Sequence, residues 1–199
     1  MSLEKDPEYP VIRQVADLRF TLTYMSSRDA ERVLGFARDL PPHDLLFLRR
    51  DITDLDVVED WLRDIECGEA LTILAWMDEV VVGYGTIHRH EPSWSAHVAE
   101  LRVVVAASAR GKGLGRILTQ EAFKSALRCG IEKMMARLTV DQEAAIAVFE
   151  GLGFHREALL EGHVKDLDGN PHDLVLMSRR VEDFSETVPD VGLSEVHPS

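Results

Sequence analysis

A basic turn rich in glycine, residues 110–116, is the stretch of this 199-residue chain best suited to chemistry. It reads Arg-Gly-Lys-Gly-Leu-Gly-Arg and follows a run of three valines at residues 103–105. Apolar residues recur at helical spacing after it, so the pattern predicts a strand, a turn and the start of a helix. Backbone N–H groups at a helix start, together with three cations, form an anion site. The turn therefore predicts a ligand that carries phosphate.

Two common phosphate-binding patterns fit this turn poorly. A Walker loop requires glycine and lysine followed by serine or threonine, whereas Lys112 is followed by Gly113. A dinucleotide-binding turn requires Gly-x-Gly-x-x-Gly, but its last position holds Leu118 or Arg116, depending on which glycines are aligned. In a dinucleotide-binding protein the glycine turn lies early in a βαβ unit, whereas about four strands are predicted before the turn of this chain. Neither of these two classes of nucleotide binder is favoured.

The elements that must position the turn alternate between strands and helices. We predict strands at residues 18–25, 71–77, 80–89, 97–105, 133–140, 157–165 and 173–181. Helices are predicted at residues 30–40, from 54 or 56 to 68, from the basic turn to 130, and from 142 to 151–153. Gly83 and Gly85 lie inside a predicted strand and indicate a bulge or the close approach of another group. This order predicts an α/β (α+β) fold, with a mixed, mostly antiparallel twisted sheet of about seven strands and helices on both faces.

Composition predicts one globular domain. Hydrophobic residues make up 45% of the chain, and no apolar run approaches the roughly 18 residues that span a bilayer. The formal net charge of −13 disfavours nucleic acid as a partner. Cys67 and Cys129 are far apart, and the N-terminus lacks a secretory pattern. We therefore expect a cytoplasmic protein with no membrane partner and no disulfide framework.

A known family matches these patterns at two places. Arg110, Gly113 and Gly115 form Arg-x-x-Gly-x-Gly after a valine-rich strand. This resembles the coenzyme-A-binding motif of the GNAT superfamily of N-acetyltransferases. Residues 141–154 resemble that superfamily's Asn-x-x-Ala-x-x-x-Tyr-x-x-x-Gly-Phe segment. The resemblance covers roughly residues 18–181, and it implies a GNAT-like acyl-CoA acyltransferase fold with acetyl-CoA as the cofactor.

The resemblance also implies how acetyl-CoA is held. Backbone amides of the turn would bind the pyrophosphate, with charge added by two of the basic side chains. The strand before the turn would pair its backbone with the pantetheine arm, and one of its N–H groups would polarise the thioester carbonyl. The expected cofactor-binding residues are Val103, Val104, Val105, Arg110, Gly111, Lys112, Gly113, Leu114, Gly115, Arg116, Gln142 and Phe149.

Acetyl transfer to nitrogen needs a neutral amine, and alkyl amines are mostly protonated at neutral pH, so a positioned base helps. Glu100, at the start of the valine-rich strand, is the predicted catalytic base, because some members of the superfamily carry a glutamate there. Other members place one on the next strand, where this chain has Arg137. The alternative role for Glu100 is a rim carboxylate paired with Arg102 or with a histidine.

Two residues depart from the superfamily pattern. Phe149 stands where a tyrosine usually protonates the leaving thiolate, so that acid is missing. A thiol with a pKa of about 8.5 is still a fair leaving group. Gln142 replaces the usual asparagine and carries the same amide one methylene further out. The predicted function is acetyl transfer from acetyl-CoA to a primary amine in a direct ternary complex, and the alternative is a non-catalytic acyl-CoA-binding or sensor module.

The acceptor is expected to be a small metabolite, an amino acid or a peptide amine, and its identity is open. Acidic residues near the predicted acceptor side are compatible with a cationic amine; they are Asp54, Asp56, Glu161 and Asp166. A homodimer is possible by analogy. His88 and His90 share a strand face, but no third ligand has suitable spacing, so no metal is expected.

The chain is expected to divide into three segments. Residues 1–16 contain two prolines and little periodicity, and we expect an N-terminal arm there. Residues 17–181 form the expected acetyltransferase domain. Residues 182–199 carry five acids and no lysine or arginine, which predicts an acidic, flexible tail.

Overall fold

A single sheet is the centre of the computed structural model, which describes residues 3–45, 48, 50–89, 94–166 and 168–187. Its strands are β1 (Val11–Val15), β2 (Leu18–Tyr24), β3 (Ala70–Met77), β4 (Val80–Arg89), β5 (Val98–Val105), β6 (Lys133–Thr139), β7 (His155–Lys165) and β8 (Pro171–Arg180). They form an 8-stranded sheet in the order β1-β2-β3-β4-β5-β6-β8-β7. Only β5 and β6 are parallel neighbours. The predicted mixed, mostly antiparallel sheet is confirmed.

Helices cover both faces of this sheet, as predicted. They are α1 (Ala30–Arg38), α2 (Pro42–Leu45), α3 (Leu55–Glu66), α4 (Leu114–Arg128), α5 (Glu143–Gly151) and α6 (Glu182–Thr187). The apolar stripes of α1 and α3 pack on one face, against inward residues such as Leu74 and Tyr84. The apolar sides of α4 and α5 pack on the other face, against residues such as Leu71 and Ile73. Alternate residues of the central strands thus belong to two separate cores.

The N-terminal segment differs from the expected arm, because residues 11–15 form β1 and pair with β2. The buried residue at the middle of β1 is Arg13, which is only 6% exposed. Its Nε donates a hydrogen bond to Glu121 of α4 at 3.1 Å, and the Tyr9 hydroxyl donates another at 2.7 Å. A charged residue at the inward position hides the apolar alternation by which a half-buried strand is recognised.

The C-terminal segment begins with structure as well. Within α6, Phe184 stacks on Phe123 of α4 with ring centroids 4.1 Å apart, so the start of the expected tail packs on the core. Residues 188–199 of that tail lie outside the described residues, as does His90 of the histidine pair. In the described part of the chain, no helix combines the length and apolarity needed to cross a membrane.

Two glycines let α4 approach β4 closely. A Cβ built on Gly85 would lie 3.3 Å from the carbonyl oxygen of Leu118, and one on Gly83 would lie 3.3 Å from side-chain carbons of Leu114 and Leu118. A Cβ on Gly83 would also lie 2.8 Å from the carbonyl oxygen of Val104 on β5. The register with β3 also shifts between Ala75 and Trp76, opposite this part of β4. The sequence prediction of a close approach or a bulge is confirmed, and both features occur.

Candidate functional site

β5 and β6 separate partway along their length. Their parallel pairing ends at Glu100, which is paired with Met135. β5 continues to Val105 and β6 continues to Thr139 without pairing to each other. On this side, backbone N–H and C=O groups of the two strands lack a strand partner and are available to an extended ligand. We call this opening, bounded by residues 101–105 and 136–139, the strand wedge.

The glycine-rich turn follows the wedge directly and begins α4. Gly111 and Gly113 have positive φ angles of 69° and 79°, which residues with a Cβ adopt only at a cost. Gly113 is the N-cap of α4, so the N–H groups of residues 114–116 have no acceptor within the helix. These N–H groups lie at the positive end of the helix dipole and suit an anion. The turn therefore offers an anion site at the end of the strand wedge.

The three cations of this turn have different surroundings. Lys112 and Arg116 are exposed, and neither side chain forms an ion pair with any residue that the structure describes. Arg110 donates a hydrogen bond from Nε to the carbonyl oxygen of Val105 at 3.1 Å and forms an ion pair with Asp44 of α2. Lys112 and Arg116 are thus available to an anionic ligand, whereas the Arg110 side chain links the turn to β5 and α2.

The valines and the residues at the start of α4 contribute mainly backbone to this site. Val103 and Val105 pack their side chains towards the α4 core, and Val104 packs towards the α1–α3 core. Leu114 is 1% exposed, so its side chain is buried and its N–H is the group available to a ligand. A Cβ on Gly115 would lie 3.8 Å from Val105, an ordinary contact.

Gln142 and Phe149 lie on the α5 side. Gln142 is the N-cap residue of α5, and its Oε1 accepts a hydrogen bond from the backbone N–H of Thr139 at 3.1 Å. This contact is one of the two hydrogen bonds of a capping box, and it leaves the amide nitrogen of Gln142 for another partner. Phe149 is 6% exposed and packs edge-on against Phe154 with centroids 4.8 Å apart. The Phe149 ring is thus part of the core behind the site.

Glu100, the predicted base, lies where the strand wedge closes. The residue is 6% exposed. Its Oε1 accepts a hydrogen bond from Arg102 Nη2 at 3.0 Å, and its Oε2 lies 3.5 Å from Arg137 Nε. Oε2 is buried and has no hydrogen-bond partner among the residues that the structure describes. Because a buried polar atom without a partner is costly, this oxygen is a candidate ligand contact. The predicted pairing of Glu100 with Arg102 is present as well.

A pocket beside Glu100 contains residues that the sequence patterns did not reveal as a site. It lies between α3 and the strands β4 and β5, and its lining consists of Arg50, Ile52, Val57, Trp61, Tyr84, Thr86, His88, Glu100 and Arg102. We call it the acceptor pocket. Its residues come from a loop, a helix and two strands, and no motif links them. Strand alternation is the one feature of the sequence that relates two of these residues, because it places Glu100 and Arg102 on the same face of β5.

Burial sets the protonation of two groups in the acceptor pocket. Burial lowers the pKa of His88, and the nearby Arg50 and Arg102 lower it further, while Asp64, 3.5 Å from Nε2, acts in the opposite direction. The neutral imidazole is therefore favoured. Burial also raises the pKa of Tyr84 to about 12, so its hydroxyl stays neutral. The pocket thus offers a neutral imidazole beside a buried carboxylate.

The structure brings the predicted residues together in one continuous arrangement. The open backbone of β5 leads from Glu100 to the anion site at the start of α4. On the α1–α3 side of the sheet, the acceptor pocket reaches the same Glu100. An extended ligand with phosphate groups and a second, smaller ligand would therefore meet near this carboxylate. Such an arrangement can support transfer of a group from one ligand to the other.

Comparison with known proteins identifies relatives with this architecture. The profile of the Acetyltransferase (GNAT) family matches residues 22–154, well over half of the chain. The candidate phosphinothricin acetyltransferase YwnH of Bacillus subtilis (strain 168) is 32% identical over 83 residues, which are 42% of this chain and 50% of that protein. The chain thus spans half the length of this curated relative.

Solved structures agree with this family match. A ribosomal-protein-alanine N-acetyltransferase from Brucella melitensis has a TM-score of 0.71 and 25% identity, covering 80% of this chain and 98% of that one. A phosphinothricin acetyltransferase from Sinorhizobium meliloti, in complex with AcCoA, has a TM-score of 0.72 and 19% identity, covering 87% and 95%. Both have the fold described here. With the profile match over residues 22–154, they lead to one conclusion: this chain belongs to the GNAT family of acetyltransferases.

Proposed function

We propose that this protein transfers an acetyl group from acetyl-CoA to a primary amine. The observation that carries the proposal is the strand wedge, which opens directly onto the anion site at the start of α4. A ligand with an extended arm next to phosphate groups matches this sequence of features. The likeness in fold to the Sinorhizobium meliloti protein in complex with AcCoA supports the same ligand.

Residues of the turn and of β5 would hold acetyl-CoA. The N–H groups of residues 111–116 would bind the pyrophosphate, and the exposed Lys112 and Arg116 would add charge. The open edge of residues 103–105 would pair with the pantetheine arm, as a neighbouring strand would. The Val103 N–H, or one beside it, would donate a hydrogen bond to the thioester carbonyl oxygen as negative charge develops there.

Glu100 is the proposed acceptor of the proton that the amine loses. The amine nitrogen attacks the thioester carbonyl carbon, a C–N bond forms, and the C–S bond breaks with the electron pair leaving on sulfur. The proton passes from nitrogen to the Glu100 carboxylate, directly or through a water molecule. The free hydrogen-bond capacity of Oε2 supports this role, since that oxygen is buried and accepts no hydrogen bond from the described residues.

The coenzyme A thiolate would leave without an acid at residue 149. The Phe149 ring is buried against Phe154 and carries no proton to donate. A thiolate is stable enough in water for this step to proceed unaided. Phe149 would then contribute only to packing of the nearby core and take no part in proton transfer.

Two measurements test this function. The first is a thermal-shift titration with acetyl-CoA, coenzyme A, ATP and NAD, in which we expect both coenzyme A species to raise the melting temperature and the other two to leave it unchanged. The second is release of free thiol from acetyl-CoA in the presence of a panel of amines. Amine-dependent release supports transfer, whereas an absence of any shift with coenzyme A would overturn the proposal.

A non-catalytic acyl-CoA-binding module would give a different pair of results. It would be stabilised by acetyl-CoA and would release no thiol with any amine. The family match favours the enzyme over this alternative, because the relatives are named as acetyltransferases. The thiol-release assay separates the two directly.

A further inference from the structure

The acceptor pocket carries an excess of positive charge, although the chain as a whole has a formal net charge of −13. Arg50 and Arg102 line it, and Arg137 of β6 reaches Glu100 from the other side. Asp64 and Glu100 are the carboxylates paired with these arginines. Three guanidinium groups thus face two carboxylates, while burial favours the uncharged form of His88 by lowering its pKa. A neighbourhood of this kind repels an acceptor whose only charges are positive.

Each arginine of the pocket retains unused hydrogen-bond donors. Arg102 donates to Glu100 through Nη2 at 3.0 Å, and Arg50 donates to Asp64 through Nη1 at 2.7 Å. No other hydrogen bond of either side chain to the described residues is present. A guanidinium carries several N–H donors in a planar fork that matches a carboxylate in two places at once. Both side chains are therefore equipped to bind an anion without giving up their present partners.

Glu100 supplies the opposite charge in the same pocket. Within the described part of the chain, no group donates a hydrogen bond to its buried Oε2. An ammonium or amine N–H of the acceptor is the simplest partner for such an oxygen. One wall beside these polar groups is apolar and consists of Ile52 and the α3 residues Val57 and Trp61. The pocket thus combines a site for an amine, a site for an anion and an apolar wall.

We propose that the acceptor is a small zwitterion of the amino-acid type, an inference that rests on the acetyl-transfer function proposed above. Its amine binds at Glu100, its carboxylate binds between Arg102 and Arg50, and its apolar side chain packs on Val57 and Trp61. Polyamines and the amines of protein side chains fit less well, since neither brings a free carboxylate next to the reacting nitrogen.

Calorimetric titration of the coenzyme A complex tests the proposal without depending on turnover. The two ligands are L-methionine and L-methioninamide, in which a neutral amide replaces the carboxylate. The amide also has the less basic amine, so the titrations are made at about pH 6, where both amines are almost fully ionised. We expect L-methionine to bind at least about tenfold more tightly, as charge-assisted hydrogen bonds allow. Equal binding, tighter binding of the amide, or tighter binding of spermidine would each overturn the proposal.

Single variants connect that preference to the pocket. Arg50→Gln and Arg102→Gln should reduce the preference for the acid over the amide by about tenfold. Arg63→Gln is the control, because Arg63 is an exposed residue of α3 that pairs with Asp60 and does not line the pocket. This control should keep the wild-type preference. A preference that survives both Arg50→Gln and Arg102→Gln would contradict the assignment, and thermal melts confirm that each variant is folded.

Failure of this inference can be distinguished from failure of the function. If amines without a carboxylate release thiol as well as L-methionine does, the function stands and the zwitterion proposal is wrong. If acetyl-CoA and coenzyme A do not bind, both are wrong. If L-methionine binds the coenzyme A complex with the expected preference and no amine releases thiol, the ligand assignment stands and catalysis is wrong.

Discussion

His88 and Glu100 are direct cross-strand partners on β4 and β5. Residues in this relation project from the same face of a sheet, and here both line the acceptor pocket. Glu100 has an arginine near each carboxylate oxygen, whereas His88 has Asp64 beside its Nε2. The pocket therefore contains two groups that can accept a proton, and they differ in the charges that surround them.

Glu100→Gln should lower turnover by about 10²- to 10⁴-fold, because the amide cannot take the proton from the attacking amine. The affinity for coenzyme A should be unchanged, since the turn that would bind the phosphates is not altered. The measurement is kcat/KM against pH, together with a binding titration. Glu59→Gln on the exposed side of α3 is the matched control and should behave as wild type. An unaltered pH–rate profile in Glu100→Gln would remove this residue from proton transfer.

His88→Gln should change how stability depends on pH. Burial holds the pKa of His88 below its ordinary value of 6.5, so the unfolded chain takes up a proton at this residue before the folded protein does. Stability contributed by His88 is therefore present above pH 6.5 and falls as pH decreases below it. Urea unfolding at pH 5.5 and 7.5 should show a smaller loss on acidification in His88→Gln than in wild type.

His155→Gln is the control for that comparison. His155 is an exposed residue of β7, outside the acceptor pocket, with a side chain that is 67% exposed. Its replacement should leave the pH dependence of unfolding close to that of wild type. An equal loss of stability in wild type and in His88→Gln between the two pH values would contradict the prediction.

The basic turn and the order of elements were predictable from sequence because they depend on local patterns. Glycine spacing after a valine run, helical periodicity after the turn and alternation in the strands each lie within a few consecutive residues. The acceptor pocket was not predictable in this way. Arg50, Trp61 and His88 come from a loop, a helix and a strand that only the fold brings together. The strand wedge was not predictable either, because the residue at which β5 and β6 stop pairing depends on how the two strands align.

Gly113→Ala should weaken coenzyme A binding and lower the free energy of unfolding by about 1–2 kcal/mol. Gly113 has a φ of 79°, and a Cβ there would also lie 3.3 Å from Val15 of β1. Relief of this strain would rotate the N–H groups at the start of α4 away from their common direction. Unfolding in urea and a coenzyme A titration measure the two effects.

Gly35→Ala is the matched control for Gly113→Ala. Gly35 lies within α1, and a Cβ there would meet nothing within 4 Å. Because alanine is the better helix former, this variant should gain about 0.5–1 kcal/mol and bind coenzyme A as wild type does. Wild-type affinity in Gly113→Ala would show that the conformation of residue 113 is not required for the anion site.

Glu121→Gln should lower the free energy of unfolding by about 3 kcal/mol at pH 7, because it leaves Arg13 buried without a carboxylate. The side chains of Arg13 and Glu121 are 7% and 3% exposed, and Lys124 also donates to Glu121 at 3.0 Å. By contrast, Glu150→Gln breaks the exposed pair of Glu150 with Arg156 and should cost less than about 1 kcal/mol.

The effect of Glu121→Gln should also depend on pH. Burial tends to raise the pKa of Glu121, but the Tyr9 hydrogen bond, Lys124 and Arg13 together outweigh it and hold the pKa below the ordinary value of 4.5. The stability that this carboxylate contributes is therefore present above pH 4.5 and is lost as pH falls through the lowered pKa. Urea unfolding at pH 7 and pH 3 should show the difference between wild type and Glu121→Gln shrinking on acidification. A difference that stays constant would mean that the ionised carboxylate does not hold β1 against α4.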